Sequence, residues 1–377
     1  MDRRTLLRAG VVSVGSVALS GSLWRAAAAG IAVAGPSRYG GLRAPDANGV
    51  RLPPGFVSRV VARSGQRVPG TSYVWHGAPD GGACFPGQAG GWTYVSNSEL
   101  VLGGGASALR FNAAGTVTAA YRILSGTRAN CAGGATPWGT WLSCEEVDRG
   151  SVWETDPTGA TRAVRRPAMG RFMHEGAAVD PDRRVVYLTE DDPEGCFYRF
   201  RPDRWPDLAA GRLQVLTTSG SWASVPDPSG ATVRTRRQVR AARRFHGGEG
   251  CWYADGSVWF TTKGDGRVWR YDALTSRLSV AYDDAVAAAP LTGVDNITGS
   301  RAGELFVAED GGDMQICVLS PDGRVASFLQ LVGHGGSEVT GPALTPDGRR
   351  LLFSSQRGTR GTSAAGITFE VRGPFQR

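Results

Sequence analysis

Six times along this chain an alternating apolar strand runs into a glycine-containing turn and a second strand that ends in a polar cluster, and this recurrence limits the fold more than any other feature. The units fall at roughly 71–124, 136–166, 172–217, 246–282, 293–330 and 340–371. Within them, 185–189 followed by 197–200 and 257–261 followed by 268–271 alternate with period two, which suits half-buried strands. Asp255-Gly256, Asp265-Gly266, Asp322-Gly323 and Asp347-Gly348 are turn dipeptides of the hairpin type. Gly 54 and Pro 21 in 377 residues, with few amphipathic helical periods, agree with a turn-rich chain. Repeats of three or four strands each predict an all-β fold, a six-bladed β-propeller; a jelly roll or double sandwich is the alternative. Only about 200–245 reads as helical or irregular, and its Arg234 to Arg244 run reads as a solvated face.

The N-terminus reads as an export signal. Asp2-Arg3-Arg4-Thr5-Leu6-Leu7-Arg8 is a twin-arginine pattern, and the weakly apolar run after it is too short for a stable membrane span. An Ala tract ending at Ala29 offers a cleavage site. The expected division is a signal peptide over 1–29, a Gly/Pro-rich lead-in over 30–55 and one propeller domain over 56–377. Export by the twin-arginine machinery, which carries folded proteins, implies an extracellular, periplasmic or cell-wall location. The net charge of +8 is partly in this leader, and the remaining charges are interspersed with no long cationic run, which argues against nucleic acid as a partner. Among the basic residues Lys263 is the only lysine.

Each unit carries an acidic or polar cluster at a comparable point. In order these are Asn97 and Glu99; Cys144, Glu145 and Glu146; Glu175; Glu190 and Asp191; Glu249; Asp295 and Asn296; Glu309 and Asp310; and Glu338. Equivalent points of successive blades surround one channel, so these groups would face one another, and a ring of anions without counter-ions would not hold together. Bound hard cations with oxygen ligands, chiefly calcium, resolve the conflict, and the thiolate of Cys144 would draw a softer or redox metal. Of the six cysteines, Cys84 and Cys131 form a candidate disulfide, while Cys196, Cys251 and Cys317 sit among apolar strand residues as buried thiols.

Hydrolase motifs built on a serine nucleophile, a phosphate loop or an H-E-x-x-H helix are absent from the sequence. The four histidines, His76, His174, His246 and His334, are too few for a His-rich zinc site. His174 and His246 precede Glu175 and the Gly247-Gly248-Glu249-Gly250 turn, where either would serve as a proton carrier or as a hydrogen-bonding support.

Asn130-Cys131-Ala132-Gly133-Gly134, Pro137-Trp138-Gly139-Thr140-Trp141 with Cys144-Glu145-Glu146, Met173-His174-Glu175-Gly176, Leu188-Thr189-Glu190-Asp191, Gly248-Glu249-Gly250, Thr261-Thr262-Lys263-Gly264-Asp265, Gly293-Val294-Asp295-Asn296 and Val307-Ala308-Glu309-Asp310-Gly311 follow one another in order. Together they resemble the PhoX-type alkaline phosphatases over essentially the whole chain from about Arg51. The resemblance implies a twin-arginine leader, a six-bladed propeller, and a channel that holds iron with calcium, the iron bound partly by a cysteine at the position of Cys144. It also implies phosphomonoesterase activity on small phosphate esters. One departure is the approach to Glu249, His246-Gly247-Gly248, which lacks an arginine and shifts phosphate clamping to Lys263 or Arg357. The expected protein is an exported, monomeric, metal-dependent phosphomonoesterase. A metal-dependent lactonase on the same architecture and a non-catalytic binding propeller are the alternatives.

Overall fold

The alternating segments form strands, and the turns between them form hairpins that assemble into six antiparallel sheets. The computed structural model describes residues 30–286 and 290–376, so the leader expected over 1–29 lies outside the described residues. Among the described residues there is no α-helix, only short 3-10 turns, and no helix is long and apolar enough to cross a membrane. The fourth sheet illustrates the local logic. Gly248–Ala254 pairs with Ser257–Thr262, and that strand pairs in turn with Arg267–Asp272 and Arg277–Asp283 in simple meander order. Its first hairpin turns on Asp255 and Gly256, both at positive φ, the two-residue geometry that matches strand twist and that an Asp-Gly pair adopts readily.

Each sheet is one blade, and the innermost strands are Pro79–Pro86, Asn130–Ala135, His174–Asp180, Gly248–Ala254, Val294–Gly299 and Val339–Leu344. The all-β six-bladed propeller expected from the repeat is the observed fold. The ring closes between chain ends: Val57–Arg63 completes the last blade by pairing with Ile367–Arg372, Ser58 opposite Val371. The lead-in over 30–55 lies along the fifth blade, with Val33–Ala34 parallel to Arg324 and Val325 and Val50–Arg51 antiparallel to Gln330 and Leu331. The 200–245 stretch is more regular than expected, because Phe197–Arg204 and Asp207–Leu216 are strands of the third blade. Its arginine run is not wholly a solvated face either, since Arg236 is buried between Glu190 at 2.8 Å and Asp192 at 2.7 Å.

Apolar faces of neighbouring blades pack against each other and supply the core. Phe197 of the third blade stacks on Phe260 of the fourth with ring centroids 4.3 Å apart. Phe328 of the fifth blade meets Tyr39 and Phe56 of the N-terminal segment edge-on at 5.3 and 5.1 Å, and Phe375 joins the same cluster. The phenol of Tyr39 donates to the Glu304 carboxylate at 2.5 Å, tying the lead-in to this blade. Such aromatic clusters hold through buried area as well as ring geometry. Phe328→Ala is therefore expected to destabilise the protein by about 3–5 kcal/mol, as for other buried Phe truncations, measured by chemical denaturation. A loss below about 1 kcal/mol would show that the cluster does not secure the closure.

Candidate metal centre

The register of the two inner strands is repeated in every blade, and it fixes where charged side chains can reach the axis. At the channel end the paired residues are Pro79 with Ser98, Asn130 with Glu145, His174 with Glu190, Gly248 with Thr262, Val294 with Glu309, and Val339 with Ser355. Immediately beyond the pair in the first five blades, and one pair further on in the sixth, after Thr340 with Ser354, the register shifts, a bulge that re-aims side chains. The next residue on the inner strand is Asp80, Cys131, Glu175, Glu249, Asp295 or Thr340; the next on its partner is Glu99, Glu146, Asp191, Lys263, Asp310 or Gln356. Small residues follow the acids for a steric reason. A Cβ on Gly176 would fall 2.5 Å from the backbone nitrogen of Cys251, and one on Gly250 would fall 2.6 Å from that of Ile297. The glycines thus let inner strands approach each other.

The result is a chain of donor groups around the axis. Asp80, Glu99 and Cys131 have ligand atoms within 4.8 Å of one another, as do Cys131, Glu146 and Glu175; Glu175, Glu249 and Asp295; and Asp295, Asp310 and Glu338. Successive groups share Cys131, Glu175 and Asp295, so the donors run continuously from blade to blade. Cys131 Sγ lies 3.3 Å from Glu175 Oε1. Gln356 Nε2 donates to Asp80 and Glu99, each at 2.5 Å, and Asp191 shares a hydrogen bond with Glu146. Two cations stand in the ring. Lys263 Nζ is 3.0 Å from Glu249 Oε1 and 3.4 Å from Asp310 Oδ2, and Arg357 Nη2 is 2.6 Å from Glu338 Oε1. His246 is exposed, with its ring against Gly264 beside Lys263. Past the ring the axis widens into a cavity of about 490 Å³ lined largely by backbone and small residues such as Gly82, Gly134 and Ala178.

Burial and mutual repulsion govern the electrostatics. Burial first, then Glu99 and Asp191, pushes Glu146 up to about 9; burial first, then Asp295 and Asp310, does the same for Glu338. Burial raises Asp295 to about 7 against the opposing pull of Lys263. Asp80, Glu175 and Glu249 are pushed well above the carboxylate range by burial and their acidic neighbours, and the Cys131 thiol is pushed up for the same reasons. Burial opposes the charge on Lys263, but Asp295 and Glu249 outweigh it and raise its pKa. Carboxyls in this state take up either protons or cations.

Of the residues singled out in the sequence, Glu99, Glu146, Glu175, Asp191, Glu249, Asp295, Asp310 and Glu338 come together here with Lys263 and Arg357. Others do not. Cys144 is fully buried in an apolar cluster with Leu142, Val152 and Met169, and the thiol in the ring is Cys131. Glu145, Glu190 and Glu309 each turn away to clamp a loop. Glu145 accepts from the backbone of Arg128 and Ser151, Glu309 from that of Thr292 and Gln315, and Glu190 pairs with Arg236 and accepts from Tyr198. Asn97 is a staple between two blades: Nδ2 donates to the Cys131 and Ala132 carbonyls, and Oδ1 accepts from Trp141 and Ser143. All six cysteines are free, so Cys84 and Cys131 are not bridged. The residues that sequence reasoning missed are Asp80, Cys131 and Gln356; Pro79-Asp80-Gly81 resembles a plain turn, although it occupies the same place in its repeat as His174-Glu175-Gly176.

Fold and site together define a six-bladed propeller with an acidic, thiol-containing axial centre of the kind that binds metal ions. Within that class the chain belongs to the PhoX alkaline phosphatase family, whose model, "Alkaline phosphatase PhoX", matches residues 91–154 and 147–358. No curated protein sequence matches it. Among solved structures it is similar to Pseudomonas fluorescens PhoX in complex with vanadate, a transition state analogue, with TM-score 0.68 and 18% identity over 91% of this chain and 98% of that one. A gluconolactonase from Xanthomonas campestris, XC5397, shares the fold at TM-score 0.52 and 15% identity, over 90% and 99% of the two chains. The PQQ domain of Coprinopsis cinerea pyranose dehydrogenase does so at TM-score 0.52 and 12% identity, over 90% and 98%.

Two outcomes follow from this geometry. Cys131→Ala is expected to lower the metal content of purified protein, whereas Cys144→Ala leaves it unchanged and costs only stability; the reverse pattern would return the ligand role to Cys144. Because Glu146 and Glu338 have folded pKa values of about 9, raised above their unfolded values, the metal-free fold binds more protons than the unfolded chain. Its stability is then full below the ordinary Glu pKa and is lost as pH rises towards 9. The Tm of chelator-treated protein should fall across that window, and added calcium should flatten the fall; a Tm rising with pH would contradict it.

Proposed function

We propose that this protein is an exported phosphomonoesterase whose axial ring holds iron and calcium. The observation that carries the reading is the unbroken series of overlapping donor groups through Asp80, Glu99, Cys131, Glu146, Glu175, Glu249, Asp295, Asp310 and Glu338, in a chain of an alkaline phosphatase family. The donor chemistry fits these metals: carboxylate oxygens suit calcium, and a thiolate among them suits iron. A buried Glu249 Oε1 without a hydrogen bond also fits a cation-binding ring. The vanadate bound by the Pseudomonas fluorescens relative supports phosphoryl transfer as the chemistry.

Bound cations would polarise phosphoryl oxygens and offset the charge that develops in the transition state. The protein's own part is positioning. Lys263 and Arg357, both partly exposed, hold positive charge at the channel mouth for a dianionic ester. The inner-strand carboxylates keep fixed places because neighbouring backbones confine them, and Gln356 holds Asp80 and Glu99 as a pair. His246, exposed with its ring against Gly264 beside Lys263, would carry a proton to or from the leaving group. Export through the twin-arginine pathway, with the ring loaded before transport, completes the reading, and the folded protein acts as a monomer.

The test is an assay of purified, metal-quantified protein on p-nitrophenyl phosphate beside gluconolactone. Phosphate release is expected to be lost with a chelator and to return with calcium and iron, and Glu249→Gln is expected to lower kcat/KM by about 10²–10³, the scale for losing one element of charge stabilisation. Metal-loaded protein that opens the lactone and releases no phosphate at any pH would overturn the reading.

A further inference from the structure

The chain has 42 basic residues, and every one except Lys263 is arginine. That single lysine stands inside the acidic ring. The two side chains are not equivalent there: an ammonium is a compact point charge of ion-like size, whereas a guanidinium is a broad planar fork. Nζ of Lys263 reaches two successive blades, 3.0 Å from Glu249 Oε1 on the fourth and 3.4 Å from Asp310 Oδ2 on the fifth, and Asp295 acts on the same charge. Glu249 is 2% exposed, and its Oε1 has no hydrogen bond; what faces it is the ammonium, in close ion-pair contact without hydrogen-bond alignment. Such an oxygen is served by a small, non-directional cation.

The same carboxylates belong to two of the donor groups, Glu175 with Glu249 and Asp295, and Asp295 with Asp310 and Glu338. We infer that Lys263 is a tethered cation that occupies the position between Glu249, Asp295 and Asp310, and so limits how many divalent ions the ring takes. With the ammonium absent, those three carboxylates present enough oxygens at short range to begin a calcium site. Arg357 does not fill this role, because its guanidinium pairs with Glu338 and carries the breadth that the shared position excludes. The inference rests on the ring's binding metal ions, as proposed above, but not on the reaction it catalyses.

Native mass spectrometry of the full mature chain during calcium titration tests it, with elemental analysis as the count of bound metal. At calcium levels just sufficient to fill the wild-type sites, below those that displace the ammonium, Lys263→Gln is expected to bind one calcium ion more per chain than the wild type, and Lys263→Met, of similar length and also neutral, to do the same. Equal counts in wild type and both variants would overturn the inference while leaving the metal ring intact. A wild type that binds no metal at all would instead remove the ring reading on which it rests. A measurement without any variant guards against misfolding. Because the chain has one lysine, amine acylation at Lys263 can be followed alone by peptide mass. Excess calcium is expected to speed it several-fold in the metal-stripped wild type, as the ion displaces the ammonium. A rate unaffected by calcium would contradict the competition.

Discussion

Like charges brought together on the propeller axis are the constraint on which the rest of this structure depends. Two carboxylates about 4 Å apart repel by about 4 kcal/mol at the effective dielectric of a protein surface, and a whole domain is stable by only about 5–15 kcal/mol. A few uncompensated pairs in this ring would therefore equal the net stability of the fold. Lys263 and Arg357 compensate part of the charge, and protons held on Glu146 and Glu338 compensate more in the absence of metal. Bound cations would supply the remaining compensation, and they would make the ring a source of cohesion between blades.

The fold concentrates these groups by simple means. Every blade ends at the channel with a paired residue followed by a bulge, at the same register in the first five blades and one pair later in the sixth, so one local pattern recurs around the ring. Where two acids are adjacent, the duties divide. Glu145, Glu190 and Glu309 finish their strands and bind loop backbone, while Glu146, Asp191 and Asp310 come just after the strand and turn to the axis. The sixth blade departs, with Thr340 and Gln356 in place of acids, and Gln356 becomes a neutral crosspiece between Asp80 and Glu99. The ring is thus asymmetric, with its thiol on the second blade and its cations on the fourth and sixth.

Much of this was legible in the sequence. Strand alternation and Asp-Gly turns give the blades, and recurrence of acids at one point of each unit gives the ring. What the sequence concealed was direction. Cys144 sits beside Glu145 and Glu146, but Leu142 and Cys144 are two residues apart on one strand and share its apolar face, packed with Val152 and Met169. That period-two signal outweighs adjacency to the acids, and it was available. Cys131 and Asp80 were harder to see, because their neighbours Ala132 and Gly81 are also what loops contain. The reason these positions are small, contact between neighbouring inner strands, exists only in the assembled ring. Asn97 was misread for a related cause: its four hydrogen bonds reach a second blade that no local pattern reveals.

The most direct test of this account is a crystal structure of the purified protein with anomalous scattering recorded across the iron absorption edge and at longer wavelength for calcium. The account predicts an iron peak bonded to Sγ of Cys131 and to carboxylates of the adjoining groups, with calcium peaks among the remaining axial carboxylates. A channel without metal peaks, or an iron peak at Cys144 in place of Cys131, would contradict it.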